Sequence, residues 1–270
     1  MIVWLNGTLI AQEDAALGVG DRGFTLGDGL FETIKIKRGQ PLRLAAHLRR
    51  LRSGAAILRL ALNETDDFWA EAIAATIAAN GQDDGALRLT VSRGPGQRGL
   101  LPPQPGHPTL LLTLGALPLV QPPARVVVAE SVRRNAHSPL ARCKSLSYLD
   151  NILARLEAEE RGADDALLLN TEGRVAESSI ANLFVVGTDG ILVTPPVSDG
   201  ALAGVRRDDL LRAMVAIERP LRLIDVLAAR EAFLSNALSI RPLIAVNGTP
   251  IGDGQPGPLS RRLQEEVLHE

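Results

Sequence analysis

The sequence predicts a two-domain chain of mixed α/β (α+β) architecture, and three observations carry that expectation. Strand-like and helix-like segments interleave along the whole chain, yet several strands come in hairpin-like pairs, which favours mixed sheets over a doubly wound parallel one. No G-x-G-x-x-G opens a helix after a strand: Gly94-Pro95-Gly96 runs on to Pro102-Pro103, which cannot start a long helix. A length of 270 residues is comfortable for two domains, and a Pro-rich stretch at 117–123 interrupts regular structure. The expected division is a smaller N-terminal α/β domain of residues 1–116, a linker at 117–123 and a larger C-terminal domain of residues 124–270.

Each element has its own signal. Segments 2–5 and 8–10 flank Asn6-Gly7, a dipeptide suited to a tight hairpin turn. The Gly- and Asp-rich stretch 21–29 reads as a loop, and 30–37 (LFETIKIK) as a strand ending at Arg38-Gly39. In 42–60, Leu44, His47, Leu48, Leu51 and Ala55 recur at helical steps, and 66–79 reads as a second helix. Strands are expected at 86–92 and 109–114, with the glycine-rich 93–99 between them. Beyond the linker come a strand at 126–130 and a helix at 148–161 closed by Gly162. Strands follow at 165–170, 181–186 and 191–194, then helices at 207–217 and 260–269.

Composition excludes several classes of function. Net charge is −2, so no basic excess points to nucleic acid and no acidic excess to disorder. The single cysteine, Cys143, cannot form an internal disulfide, and no Cys/His cluster offers metal ligands. Apolar runs such as 110–114 are far short of a membrane span, and the N-terminus lacks a basic region followed by a long apolar one. A reducing cytoplasm is the expected location.

The candidate for chemistry is Lys144. It lies between a loop containing Pro139 and a helix, with Leu140, Cys143, Leu146 and Leu149 around it. An apolar setting favours the neutral, nucleophilic amine. A solvated lysine at a helix start is the plain alternative, as solvated arginines and a surface glutamate are for Arg50, Arg88, Arg98 and Glu177.

The company Lys144 keeps changes that balance. Lys144-Ser145-Leu146-Ser147-Tyr148-Leu149-Asp150-Asn151, the strand after the next helix, and Gly173 through Phe184 (GRVAESSIANLF) resemble the central segments of class IV aminotransferases, enzymes of pyridoxal 5'-phosphate (PLP) fold type IV. His47-Leu48-Arg49-Arg50-Leu51 resembles that family's H-x-x-R-L motif, and the likeness runs from Asp21-Arg22-Gly23-Phe24 to Pro242. The resemblance implies a D-amino-acid-aminotransferase-like fold with PLP between the two domains, the C-terminal domain carrying the lysine. Lys144 would hold the cofactor as a Schiff base, and Glu177 would face its pyridine nitrogen, with Asn182 ordering the loop nearby. Arg50 would bind the phosphate, as would the backbone N–H groups of Val205 and Arg206 at a helix start and the segment Ser235-Asn236-Ala237-Leu238. Arg206 departs from the pattern, because the family's transaminases usually carry threonine there.

Within the family, three stretches look like aminodeoxychorismate lyases: Phe31-Glu32-Thr33-Ile34, Ser92-Arg93-Gly94-Pro95-Gly96-Gln97-Arg98-Gly99, and Ser235-Asn236-Ala237-Leu238. Such a substrate bears two carboxylates; Arg88 and Arg98 could supply one cation each, with Phe31 on the substrate side. Arg88 would serve the single carboxylate of a D-amino acid equally well. The expected activity is therefore conversion of 4-amino-4-deoxychorismate to 4-aminobenzoate and pyruvate, with D-amino-acid transamination as the alternative. Branched-chain or (R)-amine transamination and non-catalytic PLP binding rank below these. The resemblance also implies a homodimer and a small amine substrate bearing a carboxylate.

Overall fold

The computed structural model describes residues 1–213 and 216–270. The chain divides into two compact units: Met1–Pro118 with Cys143–Ser147, and Leu119–Arg142 with Tyr148–Glu270.

The first unit is built on a six-stranded antiparallel sheet in the order Thr8–Ala11, Ile2–Leu5, Thr109–Gly115, Gly85–Ser92, Gly29–Lys37, Gln40–Pro41. Asn6 (φ 49°) and Gly7 (φ 93°) take the left-handed backbone that the first two-residue turn requires. Helices Leu44–Leu58 and Asp66–Asn80 supply the aliphatic cover. Thr65 caps the second of these by accepting the Phe68 N–H at 3.2 Å, and Gly81 (φ 58°) ends it. Leu30, Ile34 and Ile36, alternate residues of one strand, share the core with Leu48, Leu51, Ala55, Trp69 and Cys143.

Two local results differ from the expectations. Within the expected loop 21–29 lies a one-turn helix, Arg22–Leu26: the Asp21 carboxylate accepts from the N–H groups of Gly23 and Phe24, and Gly27 (φ 66°) terminates it. Lys144 lies in the first unit, not with the C-terminal domain. The reason is backbone pairing, since Phe31 N–H donates to the Lys144 carbonyl and Leu146 N–H to the Gly29 carbonyl, both at 2.9 Å. The segment thus continues the sheet beside Gly29–Lys37, against a glycine whose Cβ would collide with the Val91 carbonyl at 2.4 Å.

The second unit holds a nine-stranded mixed sheet among the described residues. Its order is Ile217–Glu218, Leu192–Thr194, Asn182–Val186, Glu231–Ser235, Ile240–Val246, Ala124–Val128, Asp165–Leu169, Val175–Ser178, with Thr249–Pro250 paired to Ile240–Val246. Leu149–Glu160 is helical as expected, and Gly162 (φ 64°) follows it. The helix expected at 207–217 starts earlier, at Val205, and is described to Ala213; residues 214–215 lie outside the described residues, and Ile217 belongs to a strand. Strands Val175–Ser178, Glu231–Ser235 and Ile240–Val246 and helix Leu223–Leu227 were not expected. Pro242 argues against a strand in the sequence, yet it fits: the parallel pairing with Ala124–Val128 begins only at Leu243, one residue beyond it. Among the described residues, no helix is long and apolar enough to cross a membrane.

Candidate active site

Strand Gly29–Lys37 organises the candidate residues of the first unit, because its successive side chains point to opposite faces. On one face, the Lys144 amine lies 4.1 Å from the Phe31 ring centroid and the Arg88 guanidinium carbon 3.9 Å from it. An aromatic ring attracts cations, so the Phe31 ring is a contact shared by the Arg88 guanidinium and the Lys144 amine. Arg88 comes from the neighbouring strand, opposite Thr33 and diagonal to Phe31, and its Nε also donates to Thr90 Oγ1 at 3.3 Å. Lys144 is half-buried.

On the other face, Glu32 is 1% exposed. Arg50 Nε donates to its Oε1 at 2.9 Å, Arg50 Nη2 to Oε2 at 2.5 Å, and His47 Nδ1 lies 2.7 Å from Oε2. An ionised carboxylate can only accept, so His47 Nδ1 carries the proton. Burial pushes the Glu32 carboxyl up, but Arg50 and then His47 outweigh it and hold it below the usual carboxylate range. His47 and Arg50 face the strand together because they sit three apart on Leu44–Leu58. Glu32, to which the sequence assigns no role of its own, therefore anchors Arg50 with two hydrogen bonds.

The chain has three lysines, Lys35, Lys37 and Lys144. Lys37 is paired with Asp84 at 2.7 Å, and Lys35 is 4% exposed. Arg98 is exposed on its loop.

In the second unit the buried carboxylate of Glu177 is the centre. Arg134 Nη2 donates to its Oε1 at 2.5 Å, while Leu202 N–H and Asn182 Nδ2 donate to Oε2 at 3.0 and 3.2 Å. Asn182 also donates to the Leu202 carbonyl at 2.9 Å, so it ties the carboxylate to the chain entering helix Val205–Ala213. Gly204 is required there, since a Cβ would lie 2.0 Å from Asn182 Oδ1. Burial pulls the Arg134 guanidinium down, but the charge and hydrogen bond of Glu177 outweigh this and raise it. Arg134 gave no sequence signal.

Asn182 faces Ser235 across the sheet. The Ser235 hydroxyl is buried with no hydrogen-bond partner among the described residues. Asn236 turns inward on its own loop, its Oδ1 accepting the N–H groups of Leu238 and Ser239 at 2.9 and 3.0 Å. Val205 opens its helix and is buried, and Arg206 Nη1 pairs with Glu270 Oε2 at 2.7 Å. Among the described residues no group of three His, Cys, Asp or Glu could hold a metal.

The family model for amino-transferase class IV matches residues 29–246. The chain belongs to the class IV aminotransferases. A Methanocaldococcus jannaschii relative, named provisionally as a branched-chain-amino-acid aminotransferase, is 33% identical over 98% of this chain and 95% of its own length. A D-alanine aminotransferase of Bacillus licheniformis is 28% identical over 100% of this chain and 98% of its own. Among solved structures, a Thermoproteus uzoniensis branched-chain aminotransferase with norvaline superposes with TM-score 0.90 at 30% identity, covering 100% of this chain and 94% of that one. A Legionella pneumophila structure named provisionally as 4-amino-4-deoxychorismate lyase gives TM-score 0.85 at 29% identity, covering 96% of each. Class IV aminotransferases are PLP enzymes, and the mixed α/β units here have the fold of that group. Each unit carries groups that suit such a cofactor: in the first, a half-buried lysine amine beside a ring; in the second, a carboxylate with three donors and an orphaned buried hydroxyl next to the residue that borders a helix start.

Proposed function

We propose that this PLP-dependent class IV enzyme acts on a small primary amine bearing a carboxylate, and that its reaction is release of 4-aminobenzoate and pyruvate from 4-amino-4-deoxychorismate. The observation that carries the substrate class is that the Arg88 guanidinium and the Lys144 amine each lie against the Phe31 ring, so one aromatic side chain positions both a fixed cation and a lysine able to capture an aldehyde. Support for the lyase comes from the Phe31-Glu32-Thr33-Ile34 stretch, from Ser92–Gly99 and from Ser235-Asn236-Ala237-Leu238.

By the family resemblance Lys144 would hold the cofactor, Glu177 would serve its ring nitrogen, and Arg50, the Val205 and Arg206 N–H groups and the Ser235-Asn236 segment would serve its phosphate; Asn182 keeps Glu177 in place. When bound, PLP supplies a ring that withdraws electrons from the carbon losing its proton. The Lys144 amine takes that proton from the substrate ring carbon and returns one to the departing three-carbon fragment. Arg88 orients a carboxylate so that this carbon meets the amine.

Transamination of an amino acid is the second reading. It is favoured by the exposed position of Arg98, while Arg88 lies against the Phe31 ring, and by the transaminase names of the relatives. The protein works as a cytoplasmic homodimer on this account. Leu149, Ile152, Leu153 and Leu156 form an exposed apolar stripe on one helix, at the spacing of a helix–helix contact.

Two assays on PLP-loaded protein separate the readings. One supplies aminodeoxychorismate and follows 4-aminobenzoate and pyruvate; the other supplies D-alanine, L-leucine or (R)-phenylethylamine with a 2-oxo acid. Efficient 4-aminobenzoate release with slow transamination is the expected result. Fast amino transfer without 4-aminobenzoate overturns the lyase in favour of the second reading.

A further inference from the structure

We propose that Arg134 is a positioning residue for Glu177, holding its carboxylate so that a proton shared with the cofactor's ring nitrogen rests on the nitrogen. The proposal deepens the reading of Glu177 given above and rests on it.

The geometry is specific. Arg134 is pinned through its backbone: its N–H donates to the Leu169 carbonyl at 2.9 Å, and its carbonyl accepts from Thr171 N–H at 3.1 Å. It bridges Asn170 in parallel fashion at the end of strand Asp165–Leu169. From there the side chain reaches Glu177 Oε1 at 2.5 Å, with 17% of it exposed against 5% for Glu177. Gly200 (φ 98°) lets it pass, since a Cβ there would sit 3.2 Å from the Arg134 Cβ. The neighbouring Arg133 is no substitute, because its guanidinium donates to the carbonyls of Ala129 and Val132.

The consequence is electrostatic. A carboxylate accepts about four hydrogen bonds. Arg134, Asn182 and Leu202 supply three donors to Glu177, which fixes its plane and leaves it able to accept one more. A cation on one oxygen lowers the proton affinity of a carboxylate generally. With Arg134 charged, a hydrogen between Glu177 and a ring nitrogen therefore stays on nitrogen, where it strengthens the ring as an electron acceptor. The raised proton affinity of the Arg134 guanidinium, with Tyr148 and Asp150 adding to the pull of Glu177, agrees with a cation that does not lose its charge.

The plain alternative is a staple that only joins residue 134 to strand Val175–Ser178. The experiment loads wild type, Arg134→Lys, Arg134→Gln and Glu177→Gln with PLP carrying a ¹⁵N ring nitrogen, and records its chemical shift, the melting temperature and PLP affinity. Wild type is expected to show a protonated ring nitrogen. Arg134→Gln moves the shift towards the neutral-pyridine value, in the direction of Glu177→Gln. Arg134→Lys, which keeps the charge but loses the planar fork, moves it part of the way. Turnover in Arg134→Gln falls by about tenfold, the effect of one pKa unit at a single proton site, with KM unchanged. A wild-type shift in both Arg134 variants, whatever their melting temperatures, overturns the proposal; if Arg134→Gln does not fold, Arg134→Lys decides alone. A wild-type shift in Glu177→Gln instead overturns the underlying reading of Glu177.

Discussion

Glu32→Gln probes the strand that carries both groups of first-unit candidates. The wild-type carboxylate is 1% exposed and takes two hydrogen bonds from Arg50 and one from His47. Removing one partner of a buried ion pair costs about 3–5 kcal/mol. Glutamine keeps one oxygen and the same volume, so the expected loss is about 2–4 kcal/mol, with its amide N–H groups now facing the Arg50 donors. Both tryptophans, Trp4 and Trp69, lie in the core of the first unit, so urea unfolding followed by tryptophan fluorescence reads that unit. The sign of the pH dependence follows from the lowered Glu32 carboxyl. A group whose folded pKa is depressed stabilises fully above its ordinary value and loses that contribution as pH falls through the folded one. The gap between wild type and Glu32→Gln is therefore widest near neutrality and closes in acid. The freed Arg50 should also weaken PLP binding. Equal unfolding midpoints near pH 7, or a gap that persists undiminished in acid, would refute the reasoning.

Two other substitutions test separate links. Gly204→Ala forces Asn182 away from its contacts with Glu177 and Leu202, because the new Cβ would lie 2.0 Å from Asn182 Oδ1. Each buried hydrogen bond lost costs about 1–3 kcal/mol, so the variant should unfold earlier by circular dichroism and bind PLP more weakly; wild-type behaviour in both would count against the Asn182 bridge. Arg88→Ala should raise KM for a carboxylate-bearing amine by roughly tenfold or more, since a charged hydrogen bond is worth about 1.5–3 kcal/mol. An amine lacking a carboxylate should be unaffected, and equal losses for both substrates would remove Arg88 from recognition.

The parts of the molecule legible in the sequence are those governed by local pattern. The hairpin at Asn6-Gly7, the helix Leu44–Leu58 and the strand Gly85–Ser92 follow from turn chemistry and periodicity. Lys144, Glu177 and Arg50 stood out through motifs. Their partners did not, because partners are set by tertiary contact. Arg134 lies 43 residues from Glu177, with nothing in its surroundings to distinguish it from Arg133. Glu32 sits in a strand with nearly every position buried, so alternation gave no hint that it faces a helix rather than solvent. The short helix Arg22–Leu26 did carry signals, an Asp cap and a closing glycine, but five residues are too few for periodicity to show. The placement of Lys144 in the first unit depends on two backbone hydrogen bonds to Gly29 and Phe31, more than a hundred residues earlier in the chain.

The most direct measurement is borohydride reduction of the PLP-loaded protein, followed by peptide mapping. The lysines that can compete with Lys144 for the label are Lys35 and Lys37, and peptide mapping separates all three from the terminal amine. The account predicts about one phosphopyridoxyl group per chain, carried by the Lys144 peptide, and none in Lys144→Ala. A reduced adduct on Lys35 or Lys37, or no adduct in wild type, would contradict it.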